Sequence, residues 1–442
     1  MFFKLGKVRL PHKKNTMGVS AVRMTPPREV EILMSQHIGA PAVPTVKVGD
    51  EVLVGTQIGE AGGFVSAPVH SSVSGKVKKI GSYLLASGKT TASVIIESDG
   101  NMTPDPSITP PRVESFADLS AAARAAGLVG LGGAGFPTSV KLDASKIDKI
   151  DTLILNGAEC EPYITSDSLT MTDGADDLRE GVSLILDTSG IKRAIIGIEK
   201  NKPACIDKLR ETFSSDARVS VAVLPETYPQ GAEKILIYNL TGRVVPEGKL
   251  PADAGVIVMN VTTVSALNKY VKTGMPLVEK CITVDGSAIK SPKNIIAPIG
   301  TRISDVIEFA GGFSSEAGKV LYGGPMMGVA VYSLDAPVLK NTNAIVALAK
   351  SEAKNPIESP CIHCGRCVGN CPMGLNPTAF AKAMGLANSA DRAERLEIAK
   401  VNLCIECGCC SFVCPAKRPL VENNRLAKAD LRDYNAKKVK KD

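Results

Sequence analysis

The chain has 442 residues, 44% hydrophobic and 22% charged, with 40 Gly, 28 Pro and no Trp. This is a turn-rich globular composition with room for about three domains at ~100–200 residues each, and it excludes a disordered or fibrous chain. The net charge of +7 is mostly a tail, since residues 417–442 hold nine Lys/Arg against four Asp/Glu; no aromatic-and-basic groove accompanies it, so nucleic acid is not an expected partner.

The opening ten residues interrupt their apolar positions with Lys4, Lys7 and Arg9, unlike the continuous apolar core of a signal peptide. Charge-free stretches such as residues 320–334 fall short of the ~18 apolar residues of a spanning helix. Neither a span nor a leader is expected, and the protein is expected to stay where it is made. Residues 45–100 alternate polar and apolar positions with frequent Gly, the pattern of short strands and tight turns. The region resembles a biotinyl/lipoyl-type barrel-sandwich. No lysine sits at a hairpin tip as that fold's carrier residue would, so a structural or docking role is expected. Four prolines between residues 104 and 111 mark a linker.

Residues 116–127 are Ala-rich and helical in pattern and lead into Gly130-Leu-Gly132-Gly133-Ala-Gly135-Phe136-Pro137. A dinucleotide fingerprint of this spacing should follow a strand, and this one follows a helix, so a simple Rossmann reading fails. The glycines nonetheless let backbone N–H groups approach a phosphate or ring without Cβ obstruction. Residues 152–156 read as a buried strand ending in Asn156-Gly-Ala-Glu159-Cys-Glu161-Pro162. Polar groups at a strand's carboxyl end are where α/β ligand sites form. Strand-like runs at 194–198 and 255–260 alternate with helices such as 203–213, predicting a mainly parallel α/β sheet. Residues 281–286, 295–300 and 303–310 then read strand, strand, helix, and Tyr322-Gly-Gly-Pro-Met-Met-Gly328 reads as a tight turn.

Eight of the twelve cysteines form two copies of one pattern, Cys361-x-x-Cys364-x-x-Cys367-x-x-x-Cys371-Pro and Cys404-x-x-Cys407-x-x-Cys410-x-x-x-Cys414-Pro. In two-cluster ferredoxins the fourth cysteine of each run ligates the other cluster. Cluster one is therefore expected on Cys361, Cys364, Cys367 and Cys414, and cluster two on Cys404, Cys407, Cys410 and Cys371. Two four-thiolate zinc sites are the competing reading, but zinc seldom needs a regular third Cys and a closing Cys-Pro in duplicate. Cys409 is expected to point away from the cluster, His363 to lie on the surface, and Cys160, Cys205 and Cys281 to behave as small apolar residues. Residues 377–401 read as a helix between the copies, with a second helix expected after Cys414-Pro415.

The Gly-x-Gly-Gly-Ala-Gly-Phe-Pro-Thr run, Lys141, and Asn-x-x-Glu-x-Glu-Pro together resemble the flavin- and NADH-binding subunit of respiratory complex I. With the N-terminal region and the cysteine module, nearly the whole chain resembles the C subunit of the Rnf complex, a membrane-bound ferredoxin:NAD oxidoreductase that pumps sodium ions or protons. The resemblance implies a barrel-sandwich hybrid domain (1–110), an FMN- and NAD(H)-binding α/β domain (111–268), a ubiquitin-like β-grasp domain (269–350) and a helical two-[4Fe-4S] ferredoxin-like domain (351–442). It implies FMN contacts from Gly130, Gly132, Gly133, Gly135 and Lys141, with Asn156 and Glu159 beside them. Glu161 would lie near the nicotinamide and act catalytically, and Phe136 would stack on the NADH side. Tyr228-Pro-Gln-Gly231-Ala-Glu233 and Asn260-Val-Thr-Thr263 resemble two further cofactor-binding elements of complex I. Leu131, Ala158 and Ala232 depart from its Arg, acid and Glu.

Electrons from NADH arrive in pairs and iron-sulfur clusters accept them singly, so a flavin beside both reads as a two-to-one converter. The implied setting is a peripheral subunit on the cytoplasmic face of the membrane, with the complex's other subunits as partners and ferredoxin reached indirectly. The competing functions are a soluble cobalamin-reductase-type flavoprotein of propanediol utilisation and a flavin-free electron relay.

Overall fold

A computed structural model describes residues 6–439. The first five residues of the opening stretch and the last three of the basic tail lie outside the described residues.

Strands Glu29–Leu33, Thr90–Ser98, Gly75–Leu84 and Glu51–Val52 form an antiparallel sheet in that order. A small sheet of Val43–Pro44, Gln57–Glu60 and Val69–His70 completes the barrel-sandwich. Period-two patterning sets its core: Val30 and Ile32 are buried between the more exposed Glu29 and Glu31, and they meet Ile58, Val77, Val94 and Ile96. Residues 6–24 do not enter these sheets. Val8 pairs with Tyr228, and Val22–Arg23 pairs in parallel with Ile295 and Ile296.

The middle domain has a four-stranded parallel sheet ordered Val219–Leu224, Arg193–Glu199, Thr152–Asn156, Val256–Asn260. Strands covered on both faces read as near-continuous apolar runs, and Leu153, Ile154, Leu155 and Ala194 are fully buried. Helices Phe116–Ala125, Ala175–Ser189, Pro203–Thr212 and Val261–Thr273 share one core, and Glu233–Thr241 packs in another. The register puts Asn156 directly opposite Asn260, so two adjacent strands both end in an amide residue at the sheet's carboxyl edge.

The next domain has the expected strand–strand–helix order, Glu279–Asp285, Lys293–Pro298 and Ile303–Phe309, in a mixed sheet completed by Ala344–Ala349, Ala317–Tyr322 and the edge pieces Val22–Arg23 and Val329–Ala330. In the cysteine module, the helix expected over 377–401 is two helices, Pro377–Met384 and Ser389–Ile398. The break follows from Gly385 and from Asn388, whose side chain accepts from the amides of Ala390 and Asp391 and starts a new helix. The basic tail forms helix Leu420–Val439, seated through Ala427 and Leu431 on Phe380, Ala383 and Leu396. Its charges are partly engaged: Arg392 pairs with Asp430 at 2.7 Å and Lys428 with Glu406 at 2.5 Å.

Candidate flavin and iron-sulfur sites

Two cavities lie among the eight motif cysteines. One is bordered by Cys361, Cys364, Cys367 and Cys414, the other by Cys371, Cys404, Cys407 and Cys410. Each group of four is therefore drawn three from one motif and one from the other. The two loops are copies in conformation as well as spacing. His363 and Gly365 have φ of 58° and 70°, and Glu406 and Gly408 have 56° and 75°. Left-handed residues at these positions curl the chain so that the amides of His363 and Glu406 point at the sulfurs of Cys361 and Cys404, at 3.5 and 3.4 Å. Asn424 Nδ2 donates to Cys404 Sγ at 3.5 Å. No disulfide joins any of the twelve cysteines. Among the described residues, no three His, Cys, Asp or Glu side chains form a group that could hold a single metal ion. Four thiols around a cavity suit a cube whose four iron corners each take one thiolate better than one zinc ion.

The two cavities differ in setting. Cys364 and His363 are exposed beside the first, and Ile362 there is 64% exposed. At the second, Cys407 and Cys410 are buried. Tyr228 Oη donates to the Cys407 carbonyl at 2.8 Å, and Cys160 and Met326 pack into the same apolar cluster. Cys409 is buried in that cluster and also borders the second cavity, so it is not turned wholly away from it.

The Gly-rich loop folds as a tight hairpin. Gly130 N donates to Phe136 O at 2.8 Å and Thr138 N to Leu128 O at 3.0 Å. Gly132, Gly133 and Ala134 are exposed, and a Cβ on Gly133 would meet nothing within 4 Å. On its underside, Leu131 N donates to Thr263 Oγ1 at 3.0 Å, and Thr263 N donates to Asn260 Oδ1, which caps helix Val261–Thr273. Asn260 Nδ2 donates to Asp167 Oδ2 at 2.7 Å. A Cβ on Gly132 would lie 2.8 Å from Asn260 Cγ, so only glycine permits this approach. The barrel domain supports the loop's far end, where Ile38 N donates to Gly135 O at 3.2 Å, and from the domain after the flavin domain Asn341 Nδ2 donates to Gly133 O at 3.2 Å.

Other expected residues gather in pairs. Lys141 Nζ reaches Val258 O at 3.0 Å and Glu233 Oε2 at 3.3 Å. Asn156 donates to Gly231 O at 2.9 Å and accepts from Ala158 N. Three residues stand differently from what the resemblance implies. Glu159 is buried, and its carboxylate accepts from Asp167 N at 2.8 Å and Ser168 Oγ at 2.9 Å. Tyr228 directs its hydroxyl to the cysteine module. Glu161 accepts from the amides of Met326 at 3.0 Å and Met327 at 2.7 Å, so the tight turn at 322–328 is tied to the flavin domain through this carboxylate. Burial raises the Glu161 carboxyl above its ordinary range, against the lowering effect of those amides. Asp167 and Asn341 carry no sequence signal that would have singled them out, and Met326 is marked only as part of a tight turn.

Exposed backbone at 132–134, open space above Gly133 and amide, lysine and hydroxyl groups at the sheet's carboxyl edge suit a flavin phosphate and ring. Family models match in four stretches: an RnfC barrel sandwich hybrid domain over 2–101, a Nuo51 FMN-binding domain over 123–269, an SLBB domain over 281–330 and a 4Fe-4S dicluster domain over 358–418. Fold and site together define a flavin and iron-sulfur electron-transfer protein built on the complex I flavin-subunit plan. Similar curated proteins narrow this. The chain is 48% identical to the C subunit of the Na(+)-translocating ferredoxin:NAD(+) oxidoreductase complex of Acetobacterium woodii, over 85% of this chain and 86% of that protein. It is 44% identical to the proton-translocating counterpart of Clostridium ljungdahlii over 80% and 78%. It is 38% identical to the C subunit of the ion-translocating oxidoreductase complex of Rhodobacter capsulatus over 97% and 82%. The chain belongs to the RnfC family, the C subunits of Rnf complexes. Among solved structures, a chain of an NAD+-reducing [NiFe]-hydrogenase shares the fold at a TM-score of 0.51 and 20% identity. The match covers 70% of this chain and spans 60% of that one. No helix among the described residues is long and apolar enough to cross a membrane.

Proposed function

We propose that this chain is the NAD(H)-reactive subunit of a ferredoxin:NAD oxidoreductase complex coupled to ion translocation, held peripherally at the cytoplasmic face of the membrane by the complex's other subunits. FMN would be held by the exposed backbone of residues 132–134, with Lys141, Asn156, Asn260 and Thr263 setting the surface beneath it. One [4Fe-4S] cluster would be ligated by Cys361, Cys364, Cys367 and Cys414, the other by Cys371, Cys404, Cys407 and Cys410. The flavin supplies the exchange between paired and single electrons.

The observation that carries the reading is the asymmetry of the two cavities. The buried one lies against the flavin domain through Tyr228 and Cys160, and the other has an exposed rim. That order gives a route from NAD(H) through flavin, the buried cluster and the exposed cluster to a redox partner. The open backbone over Gly133 favours this reading over a flavin-free relay.

Membranes from cells deleted for the chain test the proposal. Ferredoxin-dependent NAD reduction should vanish and return when the purified holoprotein is added back. Full activity in deleted membranes would refute it, and a chain that never sediments with membranes would favour the soluble cobalamin-reductase-type alternative.

A further inference from the structure

Residues 6–24 precede the barrel-sandwich in sequence yet lie on the three other domains. A Cβ on Gly6 would fall 2.5 Å from the carbonyl oxygen of Cys371, so this end of the segment presses on a cysteine of the buried cavity. Two residues on, Val8 and Tyr228 exchange backbone hydrogen bonds of 3.0 and 2.9 Å, and the Tyr228 hydroxyl holds the carbonyl of Cys407. Asn15 Nδ2 then donates to Asp285 Oδ1 at 2.9 Å, and Val22–Arg23 joins the neighbouring sheet.

Lys14 sits between these anchors. Its ammonium donates to the carbonyls of Glu159 at 2.8 Å, Glu161 at 2.9 Å and Ile164. Three inward carbonyls are satisfied by one cation supplied from outside the domain, and removing it would leave all three without that donor. The loop it organises has three successive side chains with three destinations. Glu159 receives helix Ser166–Thr172, Cys160 packs with Cys407 and Tyr228, and Glu161 binds the turn at Met326 and Met327. That turn in its own right abuts the module, since a Cβ on Gly408 would lie 2.7 Å from Met326 O.

We infer that residues 6–24 form a strap, with Lys14 and Gly6 as its positioning residues, that fixes the buried cysteine cavity against the flavin domain and so sets electron transfer between the two. The inference rests on the converter reading above for its functional consequence, while its structural consequence stands independently. The strap touches neither the Gly-rich loop nor the exposed cavity in these contacts. Loosening it should therefore separate two steps that a general loss of fold would impair together.

The test compares the full-length parent with Gly6→Val and Lys14→Met, purified anaerobically. FMN and iron contents should match the parent, and flavin bleaching on NADH addition should be unchanged. The subsequent reduction of the clusters should slow on the order of 10- to 100-fold, the scale at which small misplacements act. Hydrogen exchange should rise at the amides of residues 404–410 and 322–328, with strand Thr152–Asn156 as protected as before. Cluster reduction at the parent rate, or slowed only in step with bleaching, would overturn the positioning role. So would cofactor loss with exchange rising throughout, which would make the strap a general fold element. A parent that fails to bleach with NADH counts against the converter reading instead. The exchange pattern then decides whether the strap holds the module in place.

Discussion

Cys371 stands in the first motif and borders the second cavity, and Cys414 does the reverse. Paired substitutions turn this crossing into a count. With two four-iron cubes the parent should hold about eight irons, and any single motif Cys→Ala should lower that to about four. Cys371→Ala combined with Cys407→Ala removes two sulfurs from one cavity, so about four irons should remain; Cys371→Ala combined with Cys364→Ala removes one from each, so almost none should. An uncrossed arrangement, in which each motif wraps its own cube, reverses the two outcomes. Iron and acid-labile sulfide per FMN, measured after anaerobic purification, read the result directly. Cys409→Ala serves as control and should keep the full complement, because Cys409 lies outside both spacing patterns although it borders the second cavity. Four irons in the Cys364/Cys371 pair with none in the Cys371/Cys407 pair would refute the crossed assignment.

Gly132→Ala should push the Asn260 amide off Asp167 and off its cap, costing about 1 kcal/mol per lost bond and weakening FMN accordingly. Gly133→Ala meets no protein atom within 4 Å and should weaken FMN without lowering the melting temperature; an unchanged FMN Kd would remove that backbone from the site. Tyr228→Phe deletes the 2.8 Å bond to Cys407, worth about 1 kcal/mol, and should slow cluster reduction while leaving iron content intact. Equal rates in the two proteins would show that this bond plays no part in the transfer. Lys340 is buried, donates to the carbonyls of Pro68 at 2.6 Å and Gly127 at 2.7 Å, and is pushed down to about 7 by burial. Because its folded value lies below the unfolded one, the unfolded chain binds more protons between about pH 7 and 10.5, and stability should rise with pH across that window. The ceiling is about 5 kcal/mol relative to Lys340→Met, less what the two carbonyl bonds to the ammonium recover. Parallel pH–stability curves for the two proteins would contradict this.

What the sequence made legible was local. The spacing of eight cysteines encodes loop curvature in a few residues, and each of two cavities is bordered by three cysteines of one motif and one of the other. The glycines at 130–135 and the apolar run at 152–156 likewise announce a loop and a strand by composition alone. What it obscured was non-local. Nothing near Lys14 foretells that its amine satisfies carbonyls 145 to 150 positions away, because a surface lysine and a buried one have the same neighbours in sequence. Glu161 and Glu159 share a motif but part ways on folding, one to a turn of the next domain and one to a helix start. The helix expected over 377–401 ran on because its apolar spacing continues past Gly385, where the capping power of Asn388 outweighs periodicity.

Anaerobic purification with flavin, iron and sulfide analysis, followed by NADH addition, tests the converter role most directly. One FMN per chain and about eight irons are expected, with bleaching of the flavin by NADH and then reduction of the clusters. The full iron complement with no flavin and no response to NADH would contradict that role and leave the chain a relay.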